Sequence, residues 1–252
     1  METLILCKES SERFLLFEPA QVRRNYNFCY SGWAFGFGDM LKNINKLNIV
    51  RIGSYITYSS LKKIADGILD SFRGIIKETN LSHHDSPVVE SIDAQLLTMI
   101  LDEEYRGPTL GITDADLKTE DDDAFYNSIL GGKNPKNDVA VVSTHKLTPL
   151  NIDSEKDYEV FINRTLKVSL HEVGHNFGLM DHASYRLARD GLLCPMSRGE
   201  FNKFGYRGYV KIIVDGRGRA FCDECTDFLR GVYTGRRSSV RFLKDVLVVS
   251  PN

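Results

Sequence analysis

Residues 171–182 read His171-Glu172-Val173-Gly174-His175-Asn176-Phe177-Gly178-Leu179-Met180-Asp181-His182. They close a run in which Phe161, Ile162, Leu166, Leu170, Val173 and Phe177 recur at three- and four-residue steps, the period of an amphipathic helix. Ser154 is placed to cap that helix, with Glu155 and Asp157 in its first turn, and Gly178 ends it as a left-handed residue would. Side chains four apart share one helix face. His171 and His175 can therefore reach one zinc ion at about 2.0–2.1 Å. Glu172 leans toward the same ion without being a ligand and can take a proton from zinc-bound water. With six His in 252 residues, chance yields this pattern roughly 0.008 times in a chain of this composition. Gly178 lets the chain fold back under the metal, and the third ligand is expected three residues on, at Asp181, whose neighbour is His182.

Further along come Cys194-Pro195-Met196 and then Cys222-Asp223-Glu224-Cys225. Three cysteines and a histidine suggest a second, tetrahedral structural zinc. A redox role for the C-x-x-C pair alone lacks a helix-opening thioredoxin context.

Upstream, Leu47 to Ile56 reads as a strand, Ser60 to Ile76 as a helix, Asn80 to Pro87 as a loop and Ile92 to Leu101 as a helix stopped by Gly107-Pro108. Thr109 to Thr113 and Val139 to Thr144 read as short buried strands, with turn chemistry at Gly131-Gly132-Lys133-Asn134-Pro135 between them. Strands alternating with helices predict a mixed α/β layer architecture. The Gly/aromatic stretch from Ser31 to Gly38 lacks the register of a phosphate loop and reads as a turn or hairpin.

Composition is that of a globular chain: 42% hydrophobic, 26% charged, net charge −2. This excludes a globally basic nucleic-acid binder. Residues 81–160 hold 17 acidic and 6 basic groups, read as solvated segments because the spacing of a calcium loop is absent. Arg217, Arg219, Arg230, Arg236, Arg237 and Arg241 read as a solvated basic surface, with a nucleic-acid patch the minor reading. Five cysteines, an odd number, point to a reducing, cytoplasmic setting and to metal. No apolar run is long enough to span a bilayer, and the first residues do not read as a signal peptide.

These motifs resemble the archaemetzincin family of metzincin zinc peptidases. The likeness covers roughly residues 90–230 in order: a strand like Leu110 to Leu117, a strand like Val139 to Thr144, an upstream Arg164, the histidine motif, C-x-M and C-x-x-C. It implies an α/β metzincin-like zincin with a twisted mixed sheet, an active-site helix and a small zinc-stabilised C-terminal part. Met196 matches the methionine of the turn beneath the metal. Val141, Val142 and Ser143 match the cleft-edge strand that aligns an extended substrate by backbone pairing. The catalytic domain is expected over 47–231, preceded by an extension, 1–46, packed on it and followed by a basic tail, 232–252.

The chain departs from the family's His-Cys ending with Asp181-His182, and 11 residues separate His182 from Cys194, a longer loop than the family's. Without a gap, His171, His175 and Asp181 hold the catalytic zinc and His182, Cys194, Cys222 and Cys225 the structural one. With a one-residue insertion, His182 is the third catalytic ligand and the structural site is one ligand short. The ungapped reading is preferred because both sites are complete, and it is similar to the ending of snapalysin-type proteases. The implied function is hydrolysis of peptide or protein substrates with two zinc ions per chain. The alternatives are a zinc amidohydrolase acting on a non-peptide, or a catalytically weak zinc-ribbon binding protein.

Overall fold

The computed structural model describes residues 45–53, 56–85, 89–119, 128–149, 152–198 and 201–233. The Ser31–Gly38 turn, most of the expected extension and tail, and the arginines at 236, 237 and 241 lie outside the described residues. The core is a five-stranded sheet of β1 (Lys46–Ile52), β2 (Glu78–His84), β4 (Thr109–Thr113), β7 (Gly131–Lys133) and β8 (Val139–Ser143), in the order β2-β1-β4-β8-β7. The first four strands in that order are parallel, and β7 pairs antiparallel with β8. Three short strands, β3 (Ser91–Asp93), β5 (Asp116–Lys118) and β6 (Ser128–Ile129), form a second sheet.

Helices cover both faces of the large sheet, as parallel strands require. Alternate residues of each strand serve opposite faces. Leu47, Ile49, Leu110, Ile112, Ala140 and Val142 pack with Leu61, Ile64 and Ile68 of α1 (Tyr58–Ser71) and with Phe161, Leu166 and Leu170 of α3 (Glu155–Asn176). Val50, Ile52, Val139 and Val141 pack with Ala94, Leu97 and Leu101 of α2 (Ala94–Glu104). Beyond α3 the chain forms α4 (Phe201–Tyr209), a π-helical turn at Val210–Val214 and α5 (Asp223–Tyr233). None of the described helices is long and apolar enough to cross a membrane.

Several expected boundaries move. The first strand stops at Ile52, and α1 begins at Tyr58 because Thr57 Oγ1 accepts from the Ser60 amide at 3.2 Å. The expected loop at Asn80–Pro87 is largely strand β2. Its polar sequence, ETNLSHH, hides it, yet its backbone pairs along the whole of β1 at the sheet edge. Part of the glycine-rich turn is likewise a strand, β7. The helix start at Ser154 is as read: its Oγ accepts from the Asp157 amide at 3.2 Å.

Candidate metal centres

Two clusters of metal-binding side chains are present among the described residues. The first is built at the C-terminal end of α3. His171 Nδ1 donates to the Pro195 carbonyl at 2.9 Å and His175 Nδ1 to the Leu179 carbonyl at 2.8 Å. These bonds leave both Nε2 lone pairs free and aimed at one point. The left-handed turn at Gly178, φ 85°, ends the helix and returns the chain so that Leu179 and Asp181 meet the pair. The two Nε2 atoms are 3.3 Å apart, and Asp181 Oδ1 lies 3.4 and 3.5 Å from them. A tetrahedral ion with ligands at about 2.0–2.1 Å needs donors about 3.3–3.4 Å apart. Asp181 Oδ1 is buried and makes no hydrogen bond, the position of an acceptor awaiting a cation. The residues therefore fit zinc.

Electrostatics set the members of this group apart. Burial, the Arg217 cation and neighbouring His175 hold the His171 ring well below its ordinary range, so it is neutral. Burial pulls the His175 ring down, but Asp181 and Glu172 outweigh it and its pKa is raised. For Asp181, burial raises the pKa, but the hydrogen bond and charge of His175, with Arg198, outweigh it and hold the carboxyl low. Glu172, on the buried side of the helix, is pushed up to about 7 by burial, against the pull of His175 and Arg217.

The second cluster joins distant segments. His182 Nε2 lies 3.3 Å from the sulfurs of both Cys222 and Cys225, and Cys194 Sγ lies 3.9 Å from Cys225 Sγ. Zinc–sulfur bonds of about 2.3 Å require sulfurs about 3.8 Å apart. The hydrogen bond between the Cys194 and Cys225 sulfurs holds the Cys194 thiol down to about 5, while Cys225 itself is raised. The structure groups Asp181 with the helix histidines and His182 with the cysteines, the arrangement of the ungapped alignment.

Met196 packs against Gly174, between the two histidines of α3 in sequence. A Cβ on Gly174 would meet its sulfur at 2.5 Å, so glycine is required for that approach. The expected substrate strand needs correction. Val141, Val142 and Ser143 are buried in β8, which is hydrogen-bonded to β4 on one side and β7 on the other, leaving no free backbone edge. The edge strand is β7, and a Cβ on its Gly131 would come within 2.8 Å of Glu172 Cγ and Oε1. Arg217 is also unlike its expected solvated setting: it is 2% exposed, and its guanidinium reaches Ser197 and Tyr209. A charged side chain between two glycines carries no local signal of such burial. Arg164 forms a two-pronged ion pair with Asp215, both bonds 2.7 Å, and so ties α3 to the turn before Arg217.

Fold and donor sets together define the class, an archaemetzincin-like fold carrying two groups of side chains that could hold metal. The chain belongs to Peptidase family M54, whose family model matches residues 39–185. It is 39% identical over 71 residues to an archaemetzincin of Thermococcus kodakarensis, a match covering 28% of this chain and 36% of the relative. The chain thus spans little more than a third of that curated relative's length. Among solved structures, the archaemetzincin of Methanopyrus kandleri superimposes with a TM-score of 0.56 at 22% identity, over 75% of this chain and 95% of that one. The Archaeoglobus fulgidus archaemetzincin, complexed with malonate, gives 0.51 at 19% identity, over 73% and 99%. At these identities the structural likeness speaks for the fold.

Proposed function

We propose that the chain hydrolyses peptide bonds, using zinc held by His171, His175 and Asp181 and Glu172 as general base. The observation that carries this reading is the spacing of the three donor atoms, 3.3 to 3.5 Å, with the Glu172 carboxyl beside them on the same helix. A zinc ion there would supply Lewis-acid polarisation of the scissile carbonyl and acidify water. Glu172 takes the proton from the attacking water on a carboxylate oxygen and passes it to the leaving amine nitrogen. Burial raises the Glu172 pKa, which favours its holding the proton between the two transfers. The Pro195 and Leu179 carbonyls hold the two imidazoles in the ligating tautomer throughout.

The substrate backbone is aligned on β7, Gly131–Lys133, whose outer edge is unpaired among the described residues. Edge pairing reads backbone and not side chains, which is the reason to prefer a peptide over a small amide. A second zinc, held by His182, Cys194, Cys222 and Cys225, has four protein ligands and no open position, so its role is structural.

The test joins metal analysis to cleavage of a peptide library. Glu172→Ala is expected to keep the zinc at the histidine site and to lose about 10²–10⁴-fold in kcat. A Glu172→Ala protein cleaving at the wild-type rate would sink the mechanism. Turnover of small amides with no peptide cleaved would favour the amidohydrolase.

A further inference from the structure

Among the described residues, the largest fully buried side chain is Arg217. It has no carboxylate within ion-pair distance among the described residues; its charged surroundings are Glu172, Asp181 and Cys194. A buried cation without a direct partner is costly, so what it holds is informative. Its Nε and Nη2 both donate to the Ser197 carbonyl, at 3.2 and 2.8 Å. Its backbone pairs with Leu193, where Leu193 N donates to Gly216 O at 3.0 Å and Gly218 N to Leu193 O at 2.7 Å. Arg217 therefore grips residues 193–197 at both ends.

Everything between those ends touches a metal cluster. Cys194 Sγ belongs to the cysteine cluster. The Pro195 carbonyl accepts from His171 Nδ1 at 2.9 Å. Met196 Sδ packs against Gly174, between the two histidines in sequence, and its carbonyl accepts from the His182 amide at 3.0 Å. The turn Cys194–Ser197, closed by Ser197 N donating to Cys194 O at 2.9 Å, is thus a shared support for both clusters.

We propose that Arg217 is a positioning residue that locks this turn, so that metal at the cysteine cluster orients His171 and tightens metal binding at the histidine cluster. This rests on the two-site reading above. Ligation of Cys194 fixes the start of the turn, and the Arg217 fork fixes its end. The Pro195 carbonyl is then held where His171 must donate. A lysine cannot reproduce two parallel donors to one carbonyl. Coupling between two sites is reciprocal: each metal must tighten the other by the same factor.

The experiment titrates zinc into metal-free full-length protein against competing chelators and follows both steps. In wild type, prior loading of the cysteine cluster is expected to raise affinity at the histidine cluster at least tenfold. Arg217→Lys and Arg217→Met, with the cysteine cluster loaded, are expected to weaken histidine-site affinity about 10–100-fold, as loss of an outer support does, with the lysine variant less affected. Any effect on hydrolysis is expected in kcat with KM unchanged. Two zinc ions bound independently in wild type would overturn the inference and leave the metal sites standing. So would an Arg217→Lys protein with lower thermal stability but unchanged histidine-site affinity. A wild-type protein with no metal at the histidine cluster would overturn both. The wild-type titration needs no variant, so it decides even where a substitution prevents folding.

Discussion

Glu172 carries a testable signature in the metal-free protein. Its folded pKa, about 7, lies above the usual 4.5 because burial disfavours the charge. A raised carboxyl pKa means that the folded state binds the proton more tightly than the unfolded chain does. Its contribution to stability is full below about pH 4.5 and is lost as pH rises through 7. Glu172→Gln mimics the protonated form at every pH. Metal-free wild type and Glu172→Gln are therefore expected to melt together at pH 5, with the variant a few degrees higher at pH 8. Melting points that differ equally at both pH values would place the charge in solvent. The helix period made His171, Glu172 and His175 legible, since four-residue spacing fixes their common face. Asp181 and His182 were legible only as a pair of choices, because direction in an irregular segment is set by what packs around it. Arg217 was not legible, since nothing local distinguishes a buried guanidinium from a solvated one.

The strands show a different boundary between what periodicity tells and what it omits. A run such as Val139–Ser143, apolar on both faces, announces a strand covered on both sides. It does not say which strands flank it, so the sheet edge falls one strand away, on β7. Glycine is a poor strand former, and Gly131-Gly132 reads as a turn until its neighbour is known. The space where a Gly131 side chain would stand is filled by Glu172. Gly131→Ala is therefore expected to shift Glu172 or β7 and to lower kcat at least tenfold with zinc content unchanged. Gly67 of α1 makes the contrast: a Cβ there would meet Leu166 of α3 at 2.5 Å, far from the chemistry. Gly67→Ala should cost about 1–3 kcal/mol of stability and leave kcat alone. Melting curves and steady-state rates on the two variants separate the cases. If Gly131→Ala lost only stability, Glu172 would not be seated against β7.

At the scale of the molecule, the cysteine cluster closes the C-terminal segments onto the main core. Cys194, Cys222 and Cys225 are buried in the same apolar cluster as α1 and α3. Phe221, next to Cys222, meets Phe72 edge-on with ring centroids 4.9 Å apart, and Phe72 in turn stacks near Phe177 at 5.4 Å, at the end of the histidine helix. Metal bound here would draw together residues 182, 194 and 222–225, so its binding free energy would be folding free energy. Because the cluster shares one core with the sheet, its loss cannot be confined to α5. Wild type is expected to hold two zinc ions per chain. Cys222→Ser is expected to lose one of them and to melt in a single transition at lower temperature, with kcat falling through His171 as the shared turn loosens. Metal analysis and calorimetry on the same samples check this. A single zinc in wild type, retained when Cys222 is replaced, would make the cysteines packing residues. Two separate melting transitions in the variant would mean that the C-terminal segments form a unit of their own, with the Phe221–Phe72 contact too weak to join it to the core.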